Sequence, residues 1–157
     1  MPRKSRDFYL SDFVHVMVQG DEKKFIYQSD AQKEKYVYLM YKYALANDVE
    51  IIAYCVMGNH AHLLLYSKEI EKISQMMKQT NTTYGIYYNK TRETVGHVFR
   101  DRFRCENIFS KNYLVNCIKY IHQNPVKARM CLRCEDYKYS SFKDFQQGLK
   151  EYSIERK

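Results

Sequence analysis

His60 and His62, one residue apart, and Tyr120 and Asn124, one helical turn apart, are the residues whose types and spacing suggest chemistry. In a strand, alternate side chains share a face, so His60 and His62 point the same way while Ala61 and Leu63 turn to the other side. Two imidazoles are thereby offered to one divalent ion, although a lone His-x-His pair fits two unrelated polar residues at a strand start equally well. On a helix, Tyr120 and Asn124 share a face opposite the stripe of Leu114, Ile118 and Ile121, and so look away from the core. An amide oxygen is an acceptable hard ligand and a phenol a nucleophile, so one helix face can supply Asn124 to an ion and Tyr120 to a substrate held on it. The competing reading is that Tyr120 packs and Asn124 only ends the helix ahead of Pro125. His122 or Gln123 would replace Asn124 as ligand if the last turn were irregular.

The surrounding pattern supplies elements to hold these groups. Phe13-Val-His-Val-Met-Val18, ending at Gly20, reads as a buried central strand. Ser29-Asp-Ala-Gln32 has the form of a capping box, and Tyr36, Leu39, Met40 and Tyr43 continue a helix to Asn47. Val49 to Met57 predicts a second strand, Gly58-Asn59 a tight glycine-first hairpin loop, and His60 to Tyr66 the antiparallel third strand. A second helix starts at Ile70 with Ile73, Met77, Tyr84 and Tyr88 as its stripe, weakened by the polar run Gln79-Thr-Asn-Thr-Thr83. Gly96 to Ile108 suggests a fourth strand. Ser110 caps a third helix with Leu114, Cys117, Ile118 and Ile121 inside, and Pro125 predicts its end near Gln123. This split-βαβ order implies an α+β, ferredoxin-like fold, a four- to five-stranded antiparallel sheet with helices packed on one face. At 157 residues with 45% apolar content, residues 1–157 are expected to form a single domain.

Charge points to the partner class. With 26 Lys and Arg against 18 Asp and Glu, the net charge of +8 favours polyanions and phosphate contacts, though a merely soluble basic protein would look the same. Sixteen Tyr and eight Phe add ring faces on which unpaired bases can stack, alongside those that simply fill the core. No apolar run approaches the roughly 20 residues of a membrane span, and MPRKSRDFYLSD lacks a signal-peptide core, so a cytoplasmic setting and no membrane partner are expected. Five cysteines, Cys131-x-x-Cys134 among them, are expected as free thiols, since no second pair stands at a zinc-ribbon spacing.

Three segments, Met57-Gly-Asn-His-Ala-His-Leu-Leu-Leu65, Gly96-His-Val-Phe-Arg-Asp-Arg-Phe103 and Tyr120-Ile-His-Gln-Asn-Pro-Val-Lys-Ala128, resemble the signature blocks of the single-tyrosine HUH transposases, in the right order and at plausible spacing. The strand His15-Val-Met-Val-Gln-Gly20 and the tail Tyr137-Lys-Tyr-Ser-Ser-Phe142 look similar too, so the resemblance spans about residues 10 to 145. The Asn-Pro-Val-Lys-Ala block points particularly to a resemblance to the REP-associated tyrosine transposases, a domesticated branch related to the enzymes of small insertion sequences. The resemblance implies His60-Ala61-His62 as the HUH motif, Tyr120 as nucleophile, Asn124 as the amide ligand, and a 5′-phosphotyrosine intermediate with a free 3′-hydroxyl. Two departures stand out: Ala61 is smaller than the usual middle residue, and Asp21-Glu-Lys-Lys24 replaces a loop that often carries Asn and Arg, which would alter the choice of DNA.

A phenol is a poor nucleophile at neutral pH unless a cation makes the phosphate more electrophilic, which gives His60, His62 and Asn124 a reason to share an ion. The resemblance implies magnesium, and imidazole ligation makes manganese a good alternative, so either Mg2+ or Mn2+ is expected. Arg100, Arg102 and Arg104 alternate and would contact the DNA backbone or face solvent equally well. The expected function is metal-dependent nicking and strand transfer of single-stranded DNA, at a hairpin, by a bacterial-type, nucleoid-associated enzyme acting as monomer or homodimer. One rival is a non-catalytic single-stranded nucleic-acid-binding module of the same fold. The other, a hydrolytic zinc enzyme, lacks an acidic partner motif. Tyr113, the nearest competing nucleophile, lies about 10 Å further from Asn124 along the helix.

Overall fold

Val14, Val16 and Val18 are each at most 2% exposed while the residues between them are half-buried. The first strand, β1 (Phe13–Gln19), therefore has one sealed face and one more open face, the two-residue period that sequence alternation predicts. The computed structural model describes residues 12–100 and 103–147. The elements after β1 are α1 (Asp30–Ala46), β2 (Glu50–Val56), β3 (His60–Tyr66), α2 (Ile70–Arg92), β4 (Arg104–Asn107) and α3 (Lys111–Lys127). The strands form a four-stranded sheet in the order β2-β3-β1-β4, antiparallel throughout, with β1 central as expected. This is the expected α+β class.

Register decides which residues share a face. Val16 pairs with Leu63 and Met17 with His62, while Tyr54 pairs with Leu63 and Cys55 with His62. The Tyr54 ring meets Tyr41 of α1 at 5.9 Å, so the Val16–Leu63 face is the one covered by α1 and by α2, which packs along it. The His62 face carries His15 and Met17 and lies under α3. Helices on one face therefore describes α1 and α2, and α3 crosses the other side. The cause is strand parity: His60 and His62 alternate with Ala61 and Leu63, so a helix that meets the histidines cannot share the α1 side.

The capping box opens α1 as read: Ser29 Oγ accepts from the Gln32 amide at 3.1 Å, and Gln32 Oε1 accepts from the Ser29 amide at 3.0 Å. The polar run in α2 does not interrupt that helix, which is continuous over 23 residues. It binds α1 instead, as Asn81 accepts from Tyr36 at 2.8 Å, Gln79 from Asn47 at 2.7 Å, and Thr83 pairs with Tyr43 at 2.9 Å. Partners across a helix interface compensate for the low propensity of these residues. Beneath lies an aromatic cluster of Tyr27, Tyr36 and Tyr84, with centroids 4.7 to 5.3 Å apart, and Tyr84 donates to the Ile26 carbonyl.

Three further boundaries differ from the sequence reading. The fourth strand has four residues rather than thirteen, preceded by an isolated bridge between Gly20 and Phe99. The Gly58-Asn59 loop closes between Met57 and His60, whose amide and carbonyl bond at 2.8 Å, but Gly58 is not in the left-handed region. Its lack of a side chain matters for another reason, since a Cβ there would sit 3.0 Å from the Phe25 ring. Finally, α3 does not stop near Gln123, because it continues through Pro125 to Lys127. Proline removes a single amide donor, and the chain recovers order beyond it, with Ala128 donating to the Asn124 carbonyl at 2.9 Å and Met130 to that of Pro125 at 2.9 Å.

Candidate active site

Because α3 is continuous through Pro125, Tyr120 and Asn124 keep true one-turn spacing. Their face looks at the sheet rather than away from the protein, since Tyr113, Asn116, Cys117 and Tyr120 line a cleft of about 330 Å³ against His15, Met17 and His62 of the strands and Arg104 and Glu106 of β4. The expected stripe of Leu114, Cys117, Ile118 and Ile121 is only partly sealed: Cys117 and Ile121 are buried, whereas Leu114 and Ile118 are half-buried. His122 and Pro125 complete the buried side.

His60 and His62 do project together, with ring centroids 5.1 Å apart. The Tyr120 ring stands edge-on to His62 at 5.4 Å, and its 43% exposure leaves it reachable. Each imidazole is held from behind through Nδ1. Asn59 Oδ1 accepts from His60 Nδ1 at 2.7 Å, and His62 Nδ1 lies 3.0 Å from His15 Nε2. With the Nδ1 proton on His62 donated to His15, Nε2 of both rings remains available as a lone-pair donor. Burial lowers the pKa of all three rings: His60 by burial alone, His15 by burial against a smaller upward pull from Glu106, and His62 to about 3 through burial and the charges of His15 and His60. All three are neutral at physiological pH. Asn124 carries a buried amide nitrogen with no hydrogen-bond partner among the described residues, an unusual debt for a native side chain.

The alternatives for the amide position separate cleanly. His122 is buried between Phe142 and Phe145, with Nε2 2.7 Å from Ser141 Oγ, and burial lowers its pKa to about 4. It is committed to the opposite side of α3. Gln123 is exposed. Tyr113 lines the cleft but donates to Glu106 Oε2 at 2.9 Å. Arg104 lies in the cleft wall, Arg100 donates to Gln19 Oε1 at 3.3 Å, and Arg102 lies outside the described residues. Sequence reasoning did not single out His15, Asn59, Glu106 or Lys127, whose ammonium lies 5.6 Å from the centre of the Tyr120 ring. A signal for His15 was present in its phase with Met17, but the pairing that brings it to His62 is long-range. All five cysteines are free, as expected. Among the described residues no three His, Cys, Asp or Glu side chains are grouped to hold an ion.

A family model described as IS200-like transposase matches residues 10–124, a span containing both histidines, Tyr120 and Asn124. The chain belongs to the IS200-like transposase family. Its members process DNA, and this chain is a DNA-processing enzyme by that membership. The fold agrees with two solved structures. One, a REP-associated tyrosine transposase bound to a REP hairpin, is 18% identical with a TM-score of 0.72, over 95% of this chain and 88% of that one. The other, a protein of Deinococcus radiodurans R1 described as a transposase, is 17% identical with a TM-score of 0.51, over 77% of this chain and 96% of that one. No curated protein matches the sequence. No helix among the described residues of this transposase is long and apolar enough to cross a membrane.

Proposed function

We propose that this transposase nicks and rejoins single-stranded DNA at a hairpin, with Tyr120 as nucleophile and His60, His62 and Asn124 as ligands of a divalent ion. The observation that carries the reading is the edge-on contact of Tyr120 with His62 at 5.4 Å, on the side of the sheet where His60 also projects. Hairpin DNA is the partner of the structural neighbour, and a net charge of +8 suits phosphate binding.

The residues present fit an ion. Two neutral imidazoles braced through Nδ1 are what a metal site needs from histidine, and an unpartnered buried amide at Asn124 becomes a ligand once its oxygen is turned to that position. Mg2+ or Mn2+ bound there would neutralise charge on the phosphate oxygens during attack. The chain's own groups do the rest. Tyr120 Oη attacks the phosphorus, the bond to the 3′-oxygen breaks, and that oxygen takes a proton from solvent and leaves as a 3′-hydroxyl while the 5′-phosphate stays on the tyrosine. The proton released by the phenol passes to solvent through the open side of the cleft. Attack by a second 3′-hydroxyl reverses the step, so strands are exchanged without ATP. Lys127 sets a positive charge beside the ring where the phosphate must approach. That Tyr120 meets the His62 of its own chain supports a site built within one chain.

Labelled hairpin DNA incubated with the enzyme and Mg2+ or Mn2+, then run on a denaturing gel, should give a covalent adduct whose peptide contains Tyr120. Excess EDTA should abolish it. An adduct on another tyrosine, or one undiminished in EDTA, overturns the reading. No adduct on any hairpin would favour a binding module instead.

A further inference from the structure

The cleft beside Tyr120 contains one feature that phosphate binding does not explain. Glu106 and Arg104 are two apart on β4 and so point the same way, opposite His15 and Met17 of β1 respectively. Both line the cleft. A carboxylate next to a path for phosphodiesters weakens binding by like-charge repulsion unless it meets a hydrogen-bond donor. Tyr113 occupies one of its oxygens, Oε2, and no described side chain bonds to the other. The Arg104 guanidinium makes no hydrogen bond or ion pair with another described side chain, and neither does the side-chain amide of Asn116. The remaining walls are the Tyr113 and Tyr120 rings, the Met17 thioether, Cys117 and, on the side of the proposed ion, the His15 and His62 imidazoles. A volume of 330 Å³ sits at the small end of ligand pockets, which run from roughly 300 to 1,000 Å³.

Resting on the reading that DNA is held at Tyr120, we infer that this cleft takes one unpaired nucleobase next to the cleaved phosphate and favours a base with an exocyclic amino group. Ring faces and a thioether supply the stacking surface, and polar groups on one edge read the base, the arrangement by which extruded bases are recognised. Glu106 Oε1 accepts from an amino group such as cytosine N4, and Arg104 donates to a ring nitrogen or carbonyl acceptor beside it. Thymine presents a carbonyl oxygen where cytosine presents the amino group, so it sets an acceptor against an acceptor. The pocket thus gives the enzyme a base preference that does not depend on hairpin shape.

The test compares oligo(dC) with oligo(dT) of equal length, which carry equal charge and place the same base in the pocket in every register. Binding is titrated near neutral pH in EDTA, so that no cleavage is involved. The wild type should bind oligo(dC) roughly tenfold more tightly. Glu106→Gln, whose amide can donate to thymine O4, should shrink that ratio to about twofold or less while retaining affinity. Cys117→Trp, which fills the cleft, should remove the preference as well. A wild-type ratio within about twofold, or a ratio unchanged in Glu106→Gln, overturns the proposal. Because cleavage is not involved, a wild type that discriminates but never forms an adduct keeps the pocket and removes the strand-transfer reading. A wild type that forms the Tyr120 adduct without discriminating does the reverse.

Discussion

The two faces of the sheet use their polar groups in opposite ways. Under α1 and α2, the hydroxyls of Tyr36, Tyr43 and Tyr84 each find a partner, and those of Tyr27 and of Tyr139, whose ring lies by Lys33 of α1, are buried with none among the described residues. Under α3, the buried Asn124 amide has no partner, two imidazoles keep a nitrogen free, and Tyr120 is half open to solvent. Polar groups spent on one another stabilise a fold, whereas groups braced from behind and left unspent in front are available to a substrate. Stability should therefore reside mainly on one face and reactivity on the other, and substitutions can separate the two.

The largest effect is expected on the reactive face. Tyr120→Phe removes one oxygen from a half-exposed ring, so the covalent adduct should vanish while the melting temperature stays close to wild type. His62→Ala should also abolish the adduct. If one chain holds the whole site, an equimolar mixture of these two variants should remain inactive at any protein concentration. Activity regained on mixing would mean that Tyr from one subunit serves histidines of another. Conversely, Met77→Ala empties part of the fully buried α2 stripe and should cost about 2–5 kcal/mol of stability, visible in denaturant unfolding, with adduct formation preserved in the folded fraction. A Met77 variant that keeps its stability but loses the adduct would break the division between faces.

An intermediate effect is expected at His15, which braces His62 through Nδ1 and is not one of the proposed ligands. His15→Ala leaves His62 Nδ1 unbraced, and loss of such a partner typically weakens metal affinity or activity by about 10–100-fold. His15→Gln should recover part of this, because its amide can still accept from Nδ1. Manganese binding followed by electron paramagnetic resonance, measured beside adduct yield, would check it. Equal affinity in wild type and His15→Ala would reduce His15 to packing.

Most of the candidate site was legible in the sequence because it depends on local periods. His60 and His62 are two apart on a strand, Tyr120 and Asn124 four apart on a helix, and both spacings survive folding. What brings the sets together is not local. His15 reaches His62 through the β1–β3 register, and Glu106 joins them through β1–β4, pairings that no short-range pattern encodes. The same limit explains the side of the sheet taken by α3, since the order of elements does not determine which face a trailing helix crosses. The polar run in α2 looked like a weak point because its partners, Tyr36, Tyr43 and Asn47, lie over thirty residues away. Pro125 reads as a terminus from local geometry alone, and its burial, which holds α3 together beyond it, depends on packing that no local pattern encodes.

The smallest effect sharpens the comparison most, because it alters the two faces by the same chemical change. Ser29 and Ser110 are N-caps, each accepting an amide hydrogen bond at 3.1 Å, from Gln32 and Tyr113 respectively. Alanine at either position should cost about 1 kcal/mol, a fall of about 2–4 °C in melting temperature for a chain of this size. The caps differ in what they hold. Ser29 opens α1, which touches no group of the cleft, and its capping box still keeps the Gln32 contacts to the Gln28 and Ser29 amides. Ser110 opens α3 just ahead of Tyr113 and has no such reinforcement. Fraying there would loosen the start of the helix that carries Tyr120 but not its last two turns, so adduct formation should slow by only about two- to threefold in Ser110→Ala and remain unchanged in Ser29→Ala. Matched melting curves and single-turnover adduct rates would measure both. Equal slowing in the two variants would show that the rate follows global stability, and the separation of the faces would then be wrong.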